Sequence, residues 1–168
     1  MKNLRRALLV CLLLAATAGC DRVTKHIALV SLAGAPSRSF MGDMVRLTYH
    51  ENPGAFLGLG ARWRPSARAG WFQIGNGLFL LATALVATRY RFSRLGNAGL
   101  MLFLGGGVSN LIDRVAMGSV IDFLNVGIGP LRTGIFNVAD MAILAGVAIL
   151  IVEGVRNTYT PTVSNSRA

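Results

Sequence analysis

The sequence predicts an all-α integral membrane protein with four transmembrane helices and a small β-containing unit on the outer membrane surface. Of its 168 residues, 53% are hydrophobic and only 14% are charged, which is too apolar for an ordinary soluble domain. The apolar residues also form blocks, and the blocks at 69–88, 95–112 and 135–152 each approach the ~20 residues that cross a bilayer. Buried helices of a soluble domain are the alternative, but so short a chain has little surface to cover three such blocks.

Residues 7–30 are interpreted as the first span. Basic residues precede an apolar run that ends at Cys20, as in a secretory signal with a lipobox, so a lipoprotein anchored through Cys20 is an alternative. The apolar pattern nevertheless resumes after the next charges. Asp21, Thr24 and Lys25 have the spacing of one helix face, which favours a retained helix with an inward polar stripe.

Residues 31–68 form the longest stretch between spans. Apolar and polar residues alternate from Val45 to His50, which is typical of a half-buried strand. Asn52-Pro53-Gly54 then predicts a turn, followed by a glycine-rich apolar tip. We expect this unit to lie on the membrane surface, where its tip would suit contact with a lipid or an extended peptide.

The remaining spans are predicted at about 69–88, 95–113 and 135–153, within a single domain covering residues 1–156. Residues 157–168 are polar and are predicted to be disordered. Basic residues are densest at the N-terminus and in the short loop at 89–94, which predicts that both termini lie on the cytoplasmic side.

The net charge of +10 is distributed around the spans, which suits anionic lipid headgroups better than nucleic acid. Cys11 and Cys20 lack the spacing of a disulfide framework or a zinc site, and neither His26 nor His50 belongs to an H-E-x-x-H motif. No metal or cofactor is therefore expected.

Two aspartates in apolar surroundings are the strongest chemical signal. Asp140 lies inside the last predicted span, where a carboxylate is costly unless it faces a cavity or a partner. Asp122 lies between Ile121 and Phe123, although a loop carboxylate capping the next turn would look the same. Brought together at the membrane boundary, the two carboxylates could share one proton and activate a water molecule.

Other polar residues are predicted to gather near this pair. Asn110, Asp113 and Arg114 share a helix face at the outer end of the third span, with a structural Asp113–Arg114 ion pair as the plainer alternative. Asn137 precedes Asp140 by three residues. The glycines at 105–107 favour close helix packing or, alternatively, a binding site. A serine–lysine dyad would require Lys25 with a serine such as Ser109, and it is disfavoured.

Five motifs in order resemble those of the signal peptidase II family, the lipoprotein signal peptidases of bacterial inner membranes. They are Asp21-x-x-Thr24-Lys25, Asn52-x-Gly54, Gly106-x-x-x-Asn110-x-x-Asp113-Arg114, Val120-x-Asp122-Phe123 and Phe136-Asn137-x-Ala139-Asp140. The resemblance covers the chain apart from its polar tail. Ser109 stands where the family commonly has glycine, and Gly54-Ala55-Phe56 is one residue shorter than the common pattern.

The resemblance implies an aspartic endopeptidase with four helices and a β cradle. Its active site would lie near the extracytoplasmic face and cut prolipoproteins on the N-terminal side of their diacylglyceryl-modified cysteine. Asp122 and Asp140 match the catalytic pair. The residues expected to orient the substrate or support the site are Asn110, Arg114, Asn137, Asp21, Lys25, Asn52, Gly54 and Asp113. Partners would be lipidated precursors and membrane lipids, and the chain is expected to act as a monomer.

A small transporter or proton-conducting protein is the rival hypothesis, with an ion path through Asp21, Asp113, Asp122 and Asp140. It accounts for intramembrane carboxylates equally well. It does not account for the two asparagines or the long outer segment, and it would favour charges at the bilayer midplane rather than near one face.

Overall fold

The computed structural model of the chain describes residues 2–54, 59–90 and 92–159. Its helices are α1 (Lys2–Leu32), α2 (Pro65–Arg68), α3 (Asn76–Ala87), α4 (Arg94–Met117) and α5 (Val138–Tyr159), and a π-helical segment, Ala69–Gly75, joins α2 to α3. Its strands are β1 (Arg38–Phe40), β2 (Val45–Asn52), β3 (Val120–Ile128) and β4 (Leu131–Arg132). The protein is therefore mostly helical with one small sheet, as the sequence predicts.

Three helical stretches are long and apolar enough to cross a membrane: Pro65–Ala87, Arg94–Met117 and Val138–Arg156. They match the predicted second, third and fourth spans within a few residues at each end. Helix α1 continues without a break past the charged residues that follow Cys20. The predicted disordered tail begins at residue 157, but α5 continues through Tyr159, and residues 160–168 lie outside the described residues.

One stripe of α1 faces the protein interior. Its buried residues recur every three or four positions: Thr17, Asp21, Lys25, Ala28 and Leu32. This spacing places them on one side of the helix. Because the middle of the stripe is charged, the neighbouring helices must supply polar partners at that level.

The three consecutive glycines of α4 each face a different helix. A Cβ atom at Gly105 would lie 3.2 Å from Cβ of Thr17 on α1, and one at Gly107 would lie 2.6 Å from Cδ2 of Leu80 on α3. At Gly106 it would lie 2.4 Å from the carbonyl oxygen of Ala139 on α5. These glycines therefore serve close helix packing, the first of the two predicted roles.

The sheet has the order β1-β2-β3-β4, with neighbouring strands antiparallel. Leu47 pairs with Leu124 whereas His50 pairs with Asp122, so β2 carries one extra residue between these two positions, a β-bulge. Ile121 and Phe123 of β3 pack with Ala28 and Leu32, which seats the sheet on the end of α1.

The sequence analysis predicted β2 but did not predict β3. Strand β2 shows alternating polarity in its sequence, although its residues from Val45 to Tyr49 are all half-buried. In β3 the four consecutive residues from Val120 to Phe123 are all buried, so the period-two pattern is absent. A short apolar run of this kind cannot be assigned to a strand by periodicity alone.

Replacing Gly146 should loosen the contact between α4 and α5. A Cβ atom there would lie 2.5 Å from the carbonyl oxygen of Gly99 and 2.6 Å from the backbone nitrogen of Phe103, and backbone atoms cannot yield cheaply. We expect Gly146→Ala to destabilise the protein by about 1–3 kcal/mol, measured as a lower thermal unfolding midpoint in detergent micelles. Gly154→Ala on the same helix is the matched control, because nothing lies within 4 Å of a Cβ atom there. An equal loss in both variants would contradict this account of the packing.

Candidate active site

The predicted site residues converge at one end of the helical bundle, where the sheet meets α1, α4 and α5. Hydrogen bonds and ion pairs connect all of them: Asp122, Asp140, Asn110, Arg114, Asn137, Asp21, Lys25, Asn52, Gly54 and Asp113. Asp122 is the third residue of β3, and Asp140 lies in the first turn of α5. A strand and a helix N-terminus thus each supply one of the two predicted carboxylates.

The carboxylate of Asp122 is buried and is held by two side-chain amides. Asn52 Nδ2 donates to Oδ2 at 2.9 Å, and Asn137 Nδ2 donates to Oδ1 at 2.7 Å. Burial raises the pKa of Asp122 to about 6, the charge of Asp140 also raises it, and the two amides lower it. The alternative prediction of a loop carboxylate capping a turn is wrong, because Asp122 lies within a strand.

Asp140 forms a reciprocal pair with Asn137 at the N-terminus of α5. The backbone N–H of Asn137 donates to Asp140 Oδ2 at 3.1 Å, and the backbone N–H of Asp140 donates to Asn137 Oδ1 at 2.9 Å. This arrangement is a capping box. Asp140 Oδ1 accepts a hydrogen bond from Asn110 Nδ2 at 2.9 Å. Since Asn137 also donates to Asp122, this one residue contacts both carboxylates.

A buried lysine lies behind Asn110. Lys25 Nζ donates to Asn110 Oδ1 at 2.8 Å and forms ion pairs with Asp21 at 2.6 Å and Asp113 at 2.7 Å. The side chains of Lys25 and both aspartates are at most 3% exposed, so Lys25 balances one of the two negative charges away from solvent and Arg22, paired with Asp113, balances the other. Lys25 leaves the amide of Asn110 only one orientation, with its NH₂ group toward Asp140.

Asp21 joins α1 to two other helices. Its Oδ2 accepts a hydrogen bond from Ser109 Oγ on α4 at 2.7 Å, and its Oδ1 accepts one from the backbone N–H of Ala139 on α5 at 2.8 Å. Ser109, which departs from the family pattern, therefore provides a hydrogen bond that glycine could not. Arg22, which the sequence analysis did not single out, pairs with Asp113 from a half-exposed position.

Arg114 contacts the turn after β2 rather than Asp113. Its Nη2 donates to the carbonyl oxygen of Gly54 at 2.8 Å, and its Nη1 donates to that of Asn110 at 3.1 Å. The alternative prediction of an ion pair between Asp113 and Arg114 is therefore wrong. No such pair forms among the described residues, because adjacent helical residues do not face each other. Gln73 of the π-helical segment donates to the carbonyl oxygen of Arg114 at 2.7 Å, another contact that sequence patterns do not reveal.

The predicted glycine-rich tip of the outer segment begins at Ala55, and residues 55–58 lie outside the described residues. Within the described parts of the chain, no group of three or more His, Cys, Asp or Glu side chains is arranged to hold a metal ion. Among the described residues, the polar groups at this end of the bundle are carboxylates, amides, the Ser109 hydroxyl, Lys25 and the guanidinium groups of Arg22 and Arg114.

Comparison with protein families gives an extensive match. A family profile described as signal peptidase (SPase) II matches residues 13–156. The lipoprotein signal peptidase of Methylobacterium sp. (strain 4-46) is 40% identical over 144 residues, covering 84% of this chain and 85% of that protein. The lipoprotein signal peptidase of Moorella thermoacetica is 36% identical over 134 residues, covering 77% of this chain and 81% of that protein.

Two solved structures share the fold. One, described as a bacterial membrane enzyme determined by the in meso method at 2.3 Å resolution, has a TM-score of 0.79 and 23% identity, covering 95% of this chain and 94% of that one. Another, determined by the same method at 1.9 Å, has a TM-score of 0.72 and 25% identity, covering 86% and 90%. Together with the profile and the relatives, which span most of the chain at more than 30% identity, the motifs lead to one conclusion: the chain belongs to the signal peptidase II family.

Proposed function

We propose that this protein is an aspartic endopeptidase that removes the signal peptide from prolipoproteins, cutting on the N-terminal side of the diacylglyceryl-modified cysteine. The observation that carries the proposal is the contact of Asn137 with both Asp122 and Asp140. Two carboxylates held by one residue at the end of a membrane bundle suit a reaction that needs an acid and a base together. Family membership supports the substrate class.

We place the site near the extracytoplasmic face of a bacterial inner membrane, with α1 as the first of four spans and both termini cytoplasmic. Arg89 and Arg94 lie at the end of the bundle away from the two carboxylates, as does the basic N-terminal segment of α1. Basic residues concentrated in short segments at one membrane side favour the cytoplasmic side. A lipidated cysteine remains at the bilayer surface, so water must reach it there.

In the proposed reaction the aspartate pair holds a single proton. The ionised carboxylate takes a proton from water as the water oxygen attacks the carbonyl carbon that precedes the modified cysteine. The protonated carboxyl donates its proton toward the carbonyl oxygen, giving a tetrahedral intermediate. Collapse of the intermediate breaks the C–N bond, returns a proton to the cysteine nitrogen and releases the signal peptide with a new carboxylate.

We assign the ionised role to Asp140 and the protonated role to Asp122. Asp140 lies in the first turn of α5, where the backbone N–H groups and the helix dipole favour negative charge. Asp122 lies in a strand without such a field, and its pKa is raised to about 6. Different surroundings thus separate the two carboxylates, as general acid and base roles require.

The other residues of the site would position this pair and the substrate. Lys25 fixes Asn110, which donates to Asp140. Arg114 and Asn52 both contact Gly54, through its carbonyl oxygen and its backbone N–H respectively, and so anchor the turn that leads into the predicted tip. We propose that this turn presents an extended substrate strand to the carboxylates.

Removing either carboxylate should abolish cleavage without unfolding the protein. For Asp122→Asn and Asp140→Asn, made singly, we expect processing of a lipidated precursor in micelles to fall by about 10²–10⁴-fold. Thermal unfolding midpoints of the purified variants test retention of the fold. Asp43→Asn, on the β1–β2 turn, makes the same change away from the site and should retain activity. Substantial cleavage by either site variant would reject the two-aspartate mechanism.

The pH dependence of kcat/KM should report the pKa of Asp122, the general acid of the pair. Since Asp122 must be protonated in this mechanism, kcat/KM should decline as pH rises through about 6. The amide of Asn52 stabilises the ionised form of Asp122 and so lowers its pKa. Asn52→Leu should therefore move the alkaline limb upward by about one pH unit.

Tyr49→Phe is the control for this measurement. It lies on the same strand and removes a hydrogen bond to Glu51 without touching Asp122. Its alkaline limb should stay where the wild type has it. An Asn52→Leu limb that stays in place or moves downward would show that another group sets the profile.

The N-terminus of the mature protein distinguishes this proposal from the lipoprotein alternative. If α1 is a retained span, intact mass and N-terminal sequencing of the purified membrane protein should find residues 1–19 present. The burial of Thr17 against Gly105 supports retention, because removing residues 1–19 would expose that contact. A mature chain that begins at Cys20 would overturn the retained span.

A further inference from the structure

A cavity lies at the end of the bundle opposite the carboxylates. It is a groove of about 570 Å³ between α3 on one side and α4 and α5 on the other. Phe79, Val86 and Tyr90 form one wall, and Leu100 and Leu150 face them. The size is typical of a site that holds a substantial part of a small molecule, about 300–1,000 Å³.

The groove exists because α3 is attached to the bundle on one side only. Helix α4 packs against α1 and α5, whereas the helical contacts of α3 are with α4 and its own π-helical segment. Large side chains on α3 therefore remain more than half exposed, among them Phe79 at 58% and Val86 at 55%. No helix in the described part of the chain fills this gap.

Glu153 is the one acidic residue among the described residues that line the groove, and its carboxylate is already hydrogen-bonded. Glu153 accepts hydrogen bonds from the backbone N–H of Ser93 at 2.7 Å and from its hydroxyl at 3.1 Å. Both carboxylate oxygens are thus engaged at the N-terminus of α4, and the side chain is 9% exposed. Glu153 closes the groove floor rather than offering a free negative charge to a ligand.

Two exposed basic residues adjoin the groove lining along the chain. Arg89 and Arg94 flank the lining residues Tyr90 and Phe92 in sequence, both are exposed, and neither forms an ion pair with an acidic side chain among residues 2–54, 59–90 and 92–159. An apolar groove with cations at its mouth matches an anionic headgroup attached to an acyl chain. The basic n-region of a signal peptide would be repelled there.

We propose that this groove is a binding site for an anionic phospholipid, with one acyl chain between α3 and α4–α5 and the phosphate at Arg89 and Arg94. The lipid replaces the helix contact that α3 lacks and attaches α3 to the rest of the bundle. The proposal rests on membrane insertion but not on the peptidase mechanism, so the two can fail separately.

Thermal unfolding in mixed micelles tests the site. Phosphatidylglycerol should raise the unfolding midpoint more than phosphatidylcholine with the same acyl chains. Inorganic phosphate added with phosphatidylcholine should not reproduce the effect. If it did, or if both lipids stabilised equally, specific anionic-lipid binding would be rejected.

Two variants locate the effect in the groove. Gly154→Leu fills the open space beside α5, and its matched control Gly19→Leu fills equally open space on α1, since nothing lies within 4 Å of a Cβ atom at either position. Only Gly154→Leu should lose the preference for phosphatidylglycerol. Equal preference in the two variants would overturn the site.

The headgroup contact is tested without filling the groove, by the double variant Arg89→Gln/Arg94→Gln. We expect its apparent affinity for phosphatidylglycerol, titrated by native mass spectrometry, to fall about 30-fold. Arg38→Gln, on β1 at the other end of the bundle, should leave the affinity unchanged. Unchanged affinity in the double variant, or an equal fall in Arg38→Gln, would reject the assignment of the headgroup to Arg89 and Arg94.

Discussion

The buried ammonium group of Lys25 is the interaction on which the rest of the site depends. It lies between Asp21 and Asp113 and donates to Asn110, so one cation joins α1 to α4 and, through Asp21, to the N-terminus of α5. Burying an isolated charge in a membrane interior is very costly in free energy, and here each charged side chain lowers that cost for its partners. The chain can place carboxylates at the bundle end because these charges are balanced close by.

This charge cluster also explains how Asp122 and Asp140 can be held in fixed positions and still share a proton. Asn110 and Asn137 are neutral donors whose orientations are set by neighbours, Asn110 by Lys25 and Asn137 by its capping box. They reach Asp122 and Asp140 without bringing a full positive charge beside them. A cation in direct contact would hold both carboxylates ionised, whereas amides permit a shared proton.

Sequence patterns predicted much of this arrangement, for physical reasons that differ among its parts. The span positions follow from hydrophobic length, and the inward face of α1 follows from the helical spacing of Asp21 and Lys25. The partners of Asp113 could not be derived, because the choice between Arg114 and Lys25 depends on how α1 packs on α4. The catalytic roles of Asp122 and Asp140 remain predictions that their geometry supports.

The bulge in β2 has a consequence for how this protein can change in evolution. Asn52 reaches Asp122 only because the extra residue between Leu47 and His50 resets the pairing with β3. Without the bulge, the pairing of Leu47 with Leu124 would continue to place Tyr49 opposite Asp122. Because side chains alternate between the two faces of a strand, Asn52 would then point away from Asp122. The β1–β2 turn at residues 41–44 can accept insertions and deletions, whereas substitutions between 47 and 50 that straighten β2 into regular pairing should be eliminated by selection.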